Sequence, residues 1–253
     1  MRRGQVPRLD MRGIGLLGPD AAVVLTSMTF DCVNRYRTQL LAVRPSDPSI
    51  ESILAQTGFY DHVLVSGPKP KAEHGCMFER QSHRVDSAKA RDLIHLATSE
   101  VYGARRKAPM TFRSLLECMM NTVQHASAAH ARKEDWWVSV FCDAGTAKFA
   151  FVDNGVGIFK SVQLSRLQRL RRAFGLPDNP GLLREIMEGK IGSRTGLSYR
   201  GKGLPTLHGL AKAGTLKNLT IITNDVRAFV SEDRYERLTM PFRGTFYCWE
   251  LGE

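Results

Sequence analysis

The chain has 253 residues, of which 43% are hydrophobic and 24% charged. That balance is ordinary for a globular protein with a sizeable core and excludes wholesale disorder. No run of about 18 apolar residues occurs and no signal-type apolar stretch follows Arg2-Arg3, so a cytoplasmic chain without a membrane span is expected, while a net charge of +11 and a pI of 9.7 point to a partner that carries phosphate, whether nucleotide, nucleic acid or anionic surface.

In chain order, Ile14 to Leu17 reads as a short strand. Pro19 and Asp20 open a helix to about Arg37, proline being tolerated at the first helical position. Leu40 to Val43 reads as a strand. Ser46-Asp47-Pro48 caps a helix carrying Ile50, Ile53 and Leu54, and Val63 to Val65 is a third candidate strand. This rhythm predicts a small α/β unit over 1–70. The breaker-rich stretch from Ser66 to Lys71 begins a connection, so 71–84 is expected to be a linker. A helix is expected from about Asp86 to Ala104, with Ala90, Leu93, Ile94, Ala97 and Val101 at helical spacing. Residues 85–253 form the second unit, and the class is α+β. Cys32, Cys76, Cys118, Cys142 and Cys248 form no C-x-x-C pair, which argues against a disulfide scaffold or a zinc knuckle.

Residues 111–126 read TFRSLLECMMNTVQHA. Phe112, Leu115, Leu116, Met119, Met120 and Val123 make one apolar helix face, with Thr111 placed to cap its start. Glu117, Asn121 and His125 are each four apart, a drift of only about 40° per step, so they form one polar stripe. A solvated helix edge would look the same. In FAFVDNGVGI (149–158) an apolar strand runs into Asp153-Asn154-Gly155-Val156-Gly157, where glycine permits positive φ and close approach of backbone. A plain strand-ending turn is the alternative. In YRGKGLPTL (199–207) a glycine loop feeds a helix start, which offers free N–H groups to an anion. An ordinary loop–helix junction is again the alternative. Gly244-Thr245 opens the expected last strand.

The order of these four signals, separated by about 30, 45 and 40 residues, resembles the ATP-binding fold of the gyrase, heat-shock chaperone, histidine kinase and mismatch-repair ATPase superfamily (GHKL, the Bergerat fold). The resemblance covers about 85–253. Its E-x-x-x-N-x-x-x-H-A helix is most similar to sensor histidine kinases and anti-sigma serine kinases. It implies a Bergerat-type α/β sandwich with ATP and Mg²⁺ as ligands. By the same resemblance, Asn121 would hold Mg²⁺ and Glu117 would act as the base on water or on an acceptor hydroxyl. Asp153 would accept from the adenine amino group, with Gly155 and Gly157 passing close to the base. Gly201, Lys202, Gly203 and Leu204 would hold the phosphates. Thr245 would support the adenine side. His125 would either contact phosphate or finish the helix. Thr122, where a small Ala often follows the motif Asn, and Pro205 in the phosphate-side helix depart from the pattern.

Residues 159–202 hold ten Lys or Arg against three acidic residues, a net +7 of the chain's +11. The segment is expected to be an ATP-ordered lid in which Lys202, with Arg194 or Arg200, meets the γ-phosphate. A solvated helical face is the alternative. Nucleic acid would also suit the charge, but no reader motif or aromatic interleaving accompanies it. Within residues 8–66, the stretches RLDMRGIGLLGPDAAVVL and DPSIESILAQTGFYDHV resemble the STAS-type domain of anti-sigma antagonists, with Gly18-Pro19-Asp20 where such antagonists carry a phosphorylated Ser. An unrelated α/β cap over the sheet is the other reading. The expected function is a slow ATPase whose lid controls a protein partner bound through the N-terminal unit. The alternatives are an anti-sigma-type serine kinase, a nucleotide sensor without turnover and a nucleic-acid-linked ATPase.

Overall fold

The computed structural model describes residues 6–71, 76–82, 84–125, 135–161, 178–191 and 202–252. They form a mixed α+β fold. Five antiparallel strands make the main sheet, in the order β3-β4-β5-β7-β6. These are β3 (Cys76–Ser82), β4 (Asp135–Asp143), β5 (Thr146–Asp153), β6 (Leu216–Phe229) and β7 (Arg234–Leu251). Tight turns at Ala144-Gly145 and around Asp233 join neighbouring strands, and Ala144, Gly145 and Asp233 all take positive φ.

The first strand is not where the apolar run predicted it. Parallel β1 (Arg8–Asp10) and β2 (Leu41–Val43) form a separate pair, while 14–17 lies outside any strand. Ile14 and Leu17 pack as loop side chains on the small N-terminal core, and Leu16 is exposed. Their apolar character is satisfied by side-chain burial, not by a ladder. Leu64, in the third candidate strand, makes one parallel bridge to Leu41. Helix α1 (Pro19–Tyr36) begins at proline as expected and ends where Arg37 turns left-handed at φ 46°. Helix α2 (Pro48–Gln56) is capped by the Asp47 carboxylate, which accepts from Ser49 N at 2.8 Å.

The stretch expected to be a linker, 71–84, contributes β3 to the sheet edge. Helix α3 (Ser87–Tyr102) starts at the Asp86 cap. Helix α4 (Pro109–His125) begins two residues before the expected cap, so Thr111 is a buried interior residue and not a cap. A single helical turn, α5, spans Ile158–Ser161, and α6 (Asn179–Met187) and α7 (Gly203–Lys212) follow.

Strand alternation sorts the sheet into two apolar faces. On one face Trp136, Val138, Phe149, Phe151, Ile221, Tyr247 and Trp249 form the main core with α3, α4, α6 and α7. On the other, Trp137, Ala150, Val152, Phe246 and Cys248 pack with Val23 of α1. Helix α1 also lends Ala22 to the N-terminal core, and its Thr26 hydroxyl bonds Thr57 at 2.9 Å. One helix thus serves two cores. Among the described residues no helix is long and apolar enough to cross a membrane.

Candidate functional site

Cross-strand register creates the first half of the site. Asp153 of β5 lies opposite Thr245 of β7, and Thr245 lies opposite Thr223 of β6. Directly opposed residues share a face, so the three form a polar row at the end of the apolar face that carries Phe151, Tyr247 and Ile221. All three are buried. Gly244-Thr245 therefore sits inside a long strand and does not open it, a correction to the expected last strand. The extension from Arg234 to Arg243 pairs with the far half of β6.

The turn after Asp153 is held by side chains. Asp153 Oδ1 accepts from Gly155 N at 2.9 Å. Thr223 Oγ1 accepts from Ile158 N at 3.0 Å and donates to Gly244 O at 3.2 Å. It lies 3.5 Å from Thr245 Oγ1. Asn224 Nδ2 donates to Val156 O, and its Oδ1 accepts from Phe159 N. Gly157 takes φ +78°, and a Cβ there would meet the Asn224 amide at 2.5 Å. Only glycine suits that position.

Helix α4 supplies the second half. Leu115, Cys118 and Met119 are fully buried, whereas Val123, expected on the apolar face, is 38% exposed. The buried face is therefore centred on 115, 118, 119 and 122. Thr122 is tolerated there because its hydroxyl donates to Cys118 O at 3.2 Å. The polar stripe flanks this face. Glu117 and Asn121 are partly buried, and Asn121 Nδ2 is a buried donor beside the Tyr247 phenol. Burial pushes the Glu117 carboxyl above its ordinary value, opposed by Arg113, whose Nε lies 3.9 Å away. Burial, with the nearby Cys118 and Asp153, pushes the Tyr247 phenol well up, and the adjacent Asn121 amide opposes it. Burial, then Glu117 and Asp153, push the Cys118 thiol up likewise. The Glu/Asn stripe and the Asp153 row are thus close enough to sense one another.

The start of α7 closes the arrangement. A Cβ on Gly203 would fall 2.8 Å from Glu117 Oε2 and 3.4 Å from Asn121 Oδ1. The helix N-terminus, with its unpaired N–H groups, is thereby set against the two polar side chains of α4. Lys202 is the exposed N-cap residue, and Leu204 packs at the core margin.

The sequence-predicted residues Glu117, Asn121, Asp153, Gly155, Gly157, Gly203 and Thr245 are thus gathered on neighbouring elements. His125 ends α4 by its backbone, and its side chain lies outside the described residues. Gly201 lies outside them too, as do 162–177 and 192–201, which include most of the basic segment with Arg194 and Arg200. Two described cations of that segment are engaged elsewhere. Arg184 bonds Asp233 and stacks over Tyr235, and Lys190 pairs with Glu188. Sequence reasoning missed Thr223 and Asn224. The polar run Thr223-Asn224-Asp225, breaking the apolar alternation of β6, was the available signal.

An oxygen-bearing amide, a carboxyl held above its ordinary range and a helix start too close for any side chain can together receive an anion and a hard cation. Neither the family models nor the curated proteins searched contain a match to this chain.

Proposed function

We propose that the chain is a Mg·ATP-binding module of the Bergerat type, a slow ATPase whose response to nucleotide regulates a protein partner. One observation carries most of the weight: Gly203, at the start of α7, lies against both Glu117 and Asn121 of α4. Such a packing sets backbone N–H donors for a phosphate beside an amide oxygen that could hold the accompanying cation. The antiparallel sheet with α3, α4, α6 and α7 on one face and the buried Asp153–Thr245 pair support the same reading.

In this reading Asn121 Oδ1 is the metal ligand, an oxygen donor of the kind Mg²⁺ takes. The metal would supply charge neutralisation between phosphate oxygens. The N–H groups at the start of α7, with Lys202, orient the phosphates. Asp153 accepts from the adenine amino group, and Thr245 supports it from the next strand. Glu117 removes a proton from the attacking oxygen. Its raised affinity for a proton makes it a better base near neutral pH than an exposed glutamate.

The test is γ-labelled ATP with the purified protein, alone and with candidate partners. Release of free phosphate that is abolished by Glu117→Ala supports the ATPase. Label on a partner serine identifies a kinase instead. Binding without either product leaves a sensor, and no binding overturns the proposal.

A further inference from the structure

We infer that Asp31 of α1, acting through Arg243, is a positioning residue for the turn after Asp153, so that the N-terminal segment sets the affinity of the nucleotide site. The inference rests on the Mg·ATP reading above for the ligand, but its geometry stands apart from it.

The turn is held from two sides. Thr223 and Asn224 hold it from within the sheet. From the opposite face, α1 holds it through Asn154, the residue next to Asp153. Asn154 is only 5% exposed, and its Nδ2 donates to Ser27 O at 3.0 Å. Arg243 Nε donates to Asn154 O at 3.2 Å. The same guanidinium reaches Asp31 Oδ2 at 3.5 Å through Nη1. Arg243 is followed by Gly244, which sits against the Asp153 backbone. A shift of Arg243 therefore moves the strand segment on which the Asp153 carbonyl rests.

The clamp continues into the N-terminal unit. Helix α1 shares that unit's core through Ala22 and the Thr26–Thr57 bond. A displacement of α1 by a protein bound to β1, β2 or α2 would reach the turn through Asp31 and Ser27. By linkage, nucleotide would change the affinity for that protein by the same factor. Asp31 also pairs with Arg35 at 3.0 Å, and the far end of α1 is tied to the sheet by Asp20–Lys148 at 3.2 Å. The Asp20–Lys148 pair anchors α1 without touching the turn, which makes Asp20 the control.

The experiment uses the full chain. Mg·ATP affinity is measured by calorimetry, and amide exchange of 153–159 is measured without nucleotide. Asp31→Ala should weaken Mg·ATP about five- to tenfold and speed exchange over 153–159. Asp20→Ala should change neither. Arg243→Asp should match Asp31→Ala, and the double charge swap Asp31→Arg with Arg243→Asp should recover most of the loss. If Asp20→Ala weakens binding as much as Asp31→Ala, the effect is general docking of α1 and the inference is wrong. If wild-type protein binds no Mg·ATP, the proposed function falls, and the exchange measurement alone judges the clamp. Unchanged exchange over 153–159 in Asp31→Ala overturns it.

Discussion

Gly244 leaves no room for a side chain beside Asp153: a Cβ would lie 1.9 Å from the Asp153 carbonyl oxygen and 2.9 Å from Asn154 Cα. Its φ of +86° adds a backbone conformation that other residues rarely adopt. The contact brings β7 against the end of β5 where the candidate adenine-side residues lie.

Gly244→Ala should therefore be costly by two routes, positive φ and overlap with backbone that cannot rotate away. Together these are worth about 2–4 kcal/mol. For a chain of this size the melting temperature should drop by about 5–15 °C, read by thermal denaturation. Gly145→Ala, at a turn with φ +77° but open space around it, should cost only the conformational part.

Asp153→Asn should keep the fold, since an amide oxygen can still accept from Gly155 N. It exchanges an acceptor-only group for a mixed one. A charge-assisted hydrogen bond is worth about 1.5–3 kcal/mol, so ATP affinity should fall about ten- to a hundredfold by calorimetry. Equal affinity in both proteins would remove Asp153 from the site.

Glu117 should trade stability for chemistry. Burial holds its carboxyl above the ordinary value of 4.5, so the folded protein binds this proton more tightly than the unfolded chain. Below that value both states are protonated and no penalty exists. As pH rises from there through the folded pKa, ionisation costs the folded state stability. Glu117→Gln should thus melt above wild type at neutral pH and lose that margin in acid, while turnover disappears throughout. Arg113→Ala removes the cation that opposes the shift, so the acid limb of turnover should move to higher pH.

Thr223 separates a hydroxyl's role from its shape. Thr223→Val leaves Ile158 N without its acceptor and Gly244 O without its donor, in a site with no exposure. A loss of about 1–3 kcal/mol is expected, with faster exchange at Ile158. Thr223→Ser keeps the hydroxyl and should recover most of that loss, as read by denaturant unfolding.

Much of the site was legible as local pattern. Glu117 and Asn121 share a stripe because a helix returns nearly to the same side every four residues. Asp153 ends a strand because an apolar run stops at Asn154-Gly155. The helix starts at Pro19 and Asp47-Pro48 follow from proline's fixed φ and, at Asp47, from a side-chain cap. The apolar stretch at 14–17 misled because side-chain burial and strand pairing leave the same local composition. β3 escaped because its partner, β4, lies about 60 residues away, and no local signal announces such a pairing.

The tertiary structure alone decided the rest. Register across β5, β7 and β6 set Asp153, Thr245 and Thr223 side by side, and a slip of one residue would have turned them to the other face. Packing of α7 on α4 brought Gly203 to Glu117. Folding of α1 onto the far side of the sheet joined Ser27 and Asp31 to Asn154 and Arg243, residues more than 120 and 200 positions away in sequence. Periodicity along a chain encodes which side of an element a residue occupies. Which element lies against that side depends on burial summed over many distant residues, and only the folded chain resolves it.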